Sequence, residues 1–162
     1  MKINTVERLA SYVDALRPII YINHFDFKVI DDVIATVGRN VKCVEFNNAF
    51  GLVNFENKSP MLDCDLEKFL RLTMDDGFEQ QTFIILKDVH EELNKPQIVA
   101  LLKKISENNL YNDNYNETIF IISEITIIPK ELENYITIFE IPLPTIGEIN
   151  SLVHDFINDL KI

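Results

Sequence analysis

The sequence predicts an α/β domain: a three-layer sandwich around a mostly parallel sheet. Three observations carry this. Five short apolar runs, at 19–22, 41–46, 82–87, 118–123 and 135–140, have the length and continuity of strands buried on both faces. Segments of helical periodicity alternate with them, which is the pattern of βαβ units. With 162 residues, 47% of them hydrophobic and 25% charged, the chain can bury one core unaided, so 1–162 reads as a single domain.

The elements follow in order. Val6, Leu9, Val13 and Leu16 recur at helical spacing, giving an amphipathic helix over 4–16 that Pro18 ends. Ile19-Ile20-Tyr21-Ile22 is the first strand. From Asp26, Val29, Ile30, Val33, Ile34 and Val37 form one helix face, and Gly38 stops it. Val41 to Phe46 is the second strand, with Cys43 expected in the core. Residues 48–62 read as irregular, with Gly51 and Pro60. Phe50 and Phe55, in the 47–58 loop, either cover the core or stay open as a contact.

Leu66, Phe69, Leu70 and Leu72 pattern a helix over 64–74, stopped by Asp75-Asp76-Gly77. The third strand is 82–87. Asn94 is placed to cap a helix carrying Ile98, Leu101, Leu102 and Ile105, with Pro96 in its first turn. Asn108 to Asn116 is polar and loop-like. The fourth strand is 118–123, and Pro129-Lys130-Glu131-Leu132 suits one helical turn. The fifth strand is 135–140. Thr145 and Glu148 form a capping-box pattern that opens a last helix over 146–160. Its face of Ile149, Leu152, Val153, Phe156 and Leu160 is expected to cover the sheet, with docking as the alternative.

Composition excludes several classes. A formal net charge of −11 repels a phosphate backbone, so nucleic acid is a poor partner. No apolar run reaches the ~18 residues of a membrane span, and the N-terminus has no signal-like apolar stretch, so a cytoplasmic protein is expected. Cys43 and Cys64 make no C-x-x-C, and His24, His90 and His154 show no zinc-site spacing.

The candidate chemistry lies at strand ends. Phe83-Ile84-Ile85-Leu86-Lys87-Asp88 is an apolar run ending in an acid, and Ile119-Phe120-Ile121-Ile122-Ser123 ends in a hydroxyl. Read with Leu16 to Ile22 before them, and with Ile128-Pro129-Lys130-Glu131-Leu132-Glu133 and Phe139-Glu140-Ile141-Pro142-Leu143-Pro144 after them, these segments resemble an ASCE-type ATPase core. Over nearly the whole chain they resemble one branch of it, the N-terminal P-loop-free domain of Ycf-type AAA-plus ATPases. The resemblance implies a five-stranded parallel sheet in the order 5-1-4-3-2. It also implies that a complete ATPase module follows in longer members, so that this chain is an excised or truncated part.

On that resemblance Asp88 matches the magnesium-associated acid of the Walker B segment and Ser123 the polar sensor. Both are vestigial cofactor-binding positions, and Asp88 is the candidate metal ligand. The departures matter as much. Asn23-His24-Phe25-Asp26-Phe27-Lys28 stands where active relatives carry a Gly-rich phosphate loop, and no GxxxxGK sequence occurs. Val89 replaces the Glu that orients water, and no Arg follows Arg71, so an arginine finger worth ~10³ or more in rate has no candidate late in the chain.

Other readings are weaker. Asp88 and Ser123 either hold a hydrated magnesium ion or simply meet solvent at the sheet edge. Asp88-Val89-His90-Glu91-Glu92 reads as a metal cluster or a solvated turn. A receiver-type phosphoacceptor site needs paired acids after the first strand and a Lys after the fifth; Asp26 is alone and the fifth strand runs into Pro142-Leu143-Pro144. No catalytic residue is named and no cofactor is expected. The function expected is a catalytically inactive AAA-plus-like domain for assembly with a protein partner or with the rest of a AAA-plus protein. The alternative is an ATP and magnesium binding module with a divergent loop.

Overall fold

The computed structural model describes residues 2–76, 80–111 and 116–161. Gly77, the expected stop of the third helix, and the centre of the 108–116 loop lie outside the described residues. The elements run α1 (Lys2–Asp14), β1 (Ile19–Asn23), α2 (Phe27–Val37), β2 (Lys42–Asn47), β3 (Gly51–Asn54), β4 (Pro60–Leu62), α3 (Leu66–Asp76), β5 (Thr82–Lys87), α4 (Pro96–Tyr111), β6 (Glu117–Ser123), β7 (Ile136–Phe139) and α5 (Ile146–Leu160), with single 3-10 turns at Glu92–Asn94 and Lys130–Leu132.

One sheet holds the molecule together, in the order β4-β3-β2-β5-β6-β1-β7. β1, β2, β5, β6 and β7 pair in parallel. β3 and β4 add on antiparallel at the β2 edge. The expectation of five strands, all parallel, is therefore corrected: the sheet is mixed and seven-stranded. The two added strands come from the stretch read as irregular. Each is too short to show a period, and Pro60 argued against a strand; at the sheet edge a missing N–H costs nothing. Gly51 makes the hairpin possible. Its φ is +75°, and a Cβ there would stand 2.5 Å from the Leu62 carbonyl oxygen.

Alternation along the strands builds two cores. Ile19, Tyr21, Ile84, Leu86, Ile119 and Ile121 pack on one face with residues of α3 and α4. Ile20, Ile22, Phe83, Ile85, Phe120 and Ile122 pack on the other with α1 and α2. β5 and β6 are buried along their whole length, which is why their sequences are apolar without alternation. Cys43 is half-buried at the margin of the second core, and burial pushes its thiol up to about 11.

Smaller corrections concern helix ends and surfaces. Asn94 closes a 3-10 turn instead of capping; the Lys95 carbonyl accepts the first α4 bond, from Val99 N–H at 3.1 Å. α4 continues to Tyr111, through residues read as loop. Phe55 is buried under the Lys58 ammonium, 4.1 Å from its ring centre, while Phe50 is exposed. α5 departs most. Both bonds of the Thr145–Glu148 capping box form, yet no residue of the helix is buried, so its apolar face does not cover the sheet. Among the described residues no helix is long and apolar enough to cross a membrane.

Candidate functional site

The C-terminal ends of the parallel strands gather the residues singled out above. Asp88 follows β5 and is exposed. Its φ is +55°, a left-handed conformation in which non-glycine residues are uncommon. Two bonds hold it there: its N–H donates to Ile122 O at 3.0 Å, and its carbonyl accepts from Asn48 Nδ2 at 3.0 Å. The tip of β5 is thus fixed to β6 on one side and to the β2–β3 turn on the other.

Ser123, the last residue of β6, is wholly buried. Its Oγ lies 3.0 Å from His90 Nδ1 and accepts from the Ile125 N–H at 3.2 Å. Tyr21 lies close by. Its O–H donates to Ile125 O at 2.7 Å and accepts from Ile127 N–H at 3.2 Å, and burial raises its pKa. Asn23 Nδ2 donates to Thr126 Oγ1 at 2.5 Å. The segment after β6 is therefore stapled across the end of β1, and the sensor-like hydroxyl is engaged inside that staple. His90 reaches Ser123 across 33 positions of sequence, a pairing no local spacing announces.

The loop that stands where a phosphate loop would be is tied to itself. His24 N–H donates to Ser123 O at 3.2 Å, and Asp26 N–H donates to His24 Nδ1 at 2.9 Å. The Asp26 carboxylate caps α2, accepting from Val29 N–H at 3.3 Å. Backbone amides at a helix start are the usual anion site, and here a carboxylate already occupies it. The His24 and Phe25 rings stack 4.8 Å apart over the same turn. Lys28 is fully on the surface, 3.9 Å from Asp32 in the next turn. Val89 lies buried in the core below α4.

A charged cluster that the sequence reading missed sits on the α2 side of this edge. Lys87 Nζ lies 2.8 Å from Asp31 Oδ2 and 3.1 Å from Glu45 Oε1, and Lys58 Nζ lies 3.1 Å from Asp31 Oδ2 and 2.6 Å from Glu45 Oε2. The four side chains close a square that joins α2, β2, the β3–β4 turn and β5. Glu45 and Lys87 are almost completely buried in it. The bonds to Glu45 and Asp31 outweigh burial and raise the Lys58 pKa. The signal was a charge inside each of two apolar strand runs; a buried charge needs a partner. Lys87, among the described residues the one cation at the tip of a central strand, is consumed by this square.

Among the described residues no group of three or more His, Cys, Asp and Glu is placed to hold a metal ion. His90 is turned to Ser123, and Glu92 pairs with Lys95 at 2.5 Å. An apolar groove of about 610 Å³ opens along β2 and β3, lined by Val44, Leu52, Met61, Phe69 and Leu72 among others.

Comparisons with known proteins agree with this frame. Two proteins described as uncharacterized AAA domain-containing protein ycf46 are similar in sequence. That of Gracilaria tenuistipitata var. liui is 24% identical over 130 residues, covering 80% of this chain and 25% of that protein. That of Trieres chinensis is 28% identical over 171 aligned residues, covering 100% of this chain and 32% of that protein. The chain thus spans a quarter to a third of the length of these curated relatives. Among solved structures, PCH-2 of C. elegans superposes with a TM-score of 0.58 at 14% identity, over 98% of this chain and 47% of that one. A chain of the Drosophila ORC bound to DNA gives 0.53 at 10% identity, over 92% and 95% of the two chains. RIF2 of Saccharomyces cerevisiae gives 0.54 at 13% identity, over 91% and 58%. At these identities the structural likeness shows the fold alone. The family model of the SpoVK-like AAA ATPase N-terminal domain matches residues 5–141, most of the chain, and the chain belongs to that family.

Proposed function

We propose that this domain is catalytically inactive and works through protein contact, as an assembly element of a AAA-plus system in the cytoplasm. One observation carries the reading: in the Asn23–Lys28 segment the His24 and Asp26 amides are spent on Ser123 O and His24 Nδ1, and the Asp26 carboxylate caps the helix that follows. Tight triphosphate binding draws on a row of free amides and a Lys at the β- and γ-phosphates. Here the His24 and Asp26 amides are spent, an acid takes the anion position, and Lys87 is locked between two carboxylates. Water activation needs a proton acceptor where Val89 stands, and Val89 has none. The partner follows from the same reading: another protein, or the remainder of a AAA-plus protein of the length of the ycf46 relatives, and not nucleic acid, given the net charge of −11.

The left-handed backbone of Asp88 favours a second reading. Strained residues cluster at ligand sites, and an exposed carboxylate so held is a position for a magnesium ion carried by a nucleotide. Calorimetry and thermal unfolding with ATP and magnesium decide between them. The inactive reading expects no hydrolysis, no binding tighter than high micromolar and no shift in Tm. A rise of several degrees that disappears in Asp88→Ala would replace it with the nucleotide-binding reading.

A further inference from the structure

α5 has a face with nothing on it. Its capping box makes the helix self-contained at the start, and Pro142 and Pro144 stiffen the segment that holds it off the sandwich. The matched family domain ends at residue 141, so the helix lies beyond it. Ile146, Ile149, Val153, Phe156 and Leu160 follow the 3-4-3-4 spacing of the a and d positions of a heptad seam, with Leu152 and Ile157 on its flanks. All seven are between 43% and 79% exposed. Together they exceed the ~300–600 Å² of the largest apolar patch on a typical monomer, and reach the order of the ~800 Å² that each partner gives to a standard interface.

We propose that α5 pairs antiparallel with α5 of a second copy of this chain, about a two-fold axis. The seam is self-complementary, because a pair centred on Val153 sets Ile146 against Leu160 and Ile149 against Phe156 or Ile157. Charge selects the direction. Glu148 and Asp155 keep to the polar side, Asp159 stands on the flank one heptad after Leu152, and Lys161 of one copy meets the first turn of the other, where Glu148 stands. Antiparallel helices also set the positive end of one macrodipole against the negative end of the next. Paired this way, the seam leaves water while both sandwiches stay clear of it. The proposal gives the assembly reading its partner and rests on that reading only for its use.

Sedimentation equilibrium of the full chain, without nucleotide, tests it. At concentrations up to about 100 µM the expected mass is twice 18.8 kDa. Val153→Asp and Phe156→Asp should each weaken the dimer at least tenfold. Urea unfolding of these variants should match the parent, because α5 contributes no buried residue to the fold. A parent that stays monomeric, or a dimer indifferent to both substitutions, overturns the proposal. So does a dimer that Leu72→Asp, at the apolar groove, breaks as fully as Phe156→Asp, since that would seat α5 in the groove of the other copy. ATP binding would defeat the inactive-site reading and leave the dimer standing; a monomer would do the reverse.

Discussion

Single residues carry the core and one pH response. Ile122 is fully buried between β1 and β5 and meets α1 and α2, so Ile122→Ala should cost roughly 2–5 kcal/mol through transfer and cavity terms. A loss under about 1 kcal/mol in urea unfolding would mean the site collapses freely. Glu117 opens β6 and is buried, with neither carboxylate oxygen bonded, and burial pushes its pKa up to about 7 from 4.5. A raised folded-state pKa means the native state holds this proton longer than the unfolded chain. The contribution of Glu117 to stability is whole below pH 4.5, declines as pH rises towards 7, and is constant above that. The full loss is at most about 3 kcal/mol. Glu117→Gln should flatten the parent's decline between pH 4.5 and pH 7.5, measured as the difference between the two urea series. Equal slopes would show that Glu117 titrates as it does in water. Asn109 belongs to the same spot, since its Oδ1 accepts from the Glu117 N–H at 3.0 Å while its Nδ2 is buried without a partner.

At the level of elements, the ion square adds a side-chain tie between the β3–β4 turn and α2, β2 and β5, beside the β2–β3 pairing. Lys58 sits in the β3–β4 turn at φ +61°, and that turn is where two of the four contacts originate. Glu45→Ala removes one acid and leaves two lysines sharing Asp31, one of whose oxygens already has no partner. Breaking a buried pair from one side should cost about 3 kcal/mol. A cost near zero would mean the lysines reach water when Glu45 goes. The five parallel strands were legible in the sequence because buried strands read as continuous apolar runs. β3 and β4 were not, since three or four residues show no period and the edge tolerates proline. Asp88 and Ser123 were legible as strand tips, because a polar residue ends each apolar run. What those residues touch was not: His90 meets Ser123 through the turn after β5, and the square draws one residue from each of four distant segments. The exposure of α5 was equally hidden, since an apolar stripe at helical spacing fixes a face but not what covers it.

The whole molecule separates into a sandwich and a helix beside it. Both cores are complete with residues of α1 to α4, the sheet and the turns between them, and the deepest contact beyond β7 is Ile141, packed at the margin of the second core. Folding cooperativity follows buried contacts, and the denaturant slope follows the surface exposed on unfolding. α5 adds to neither, because its apolar face is already in water in the folded domain. At concentrations too low for pairing, a chain shortened after Pro144 should therefore unfold in urea with the same midpoint and slope as the parent, within about 0.5 kcal/mol, while its far-UV signal falls by the helix it lacks. A short isolated helix is marginal in water, so the 15 residues of α5 need a partner surface to hold their shape. If the shortened chain loses more than about 1 kcal/mol, α5 packs on its own sandwich in solution and its apolar face is not free for a second copy.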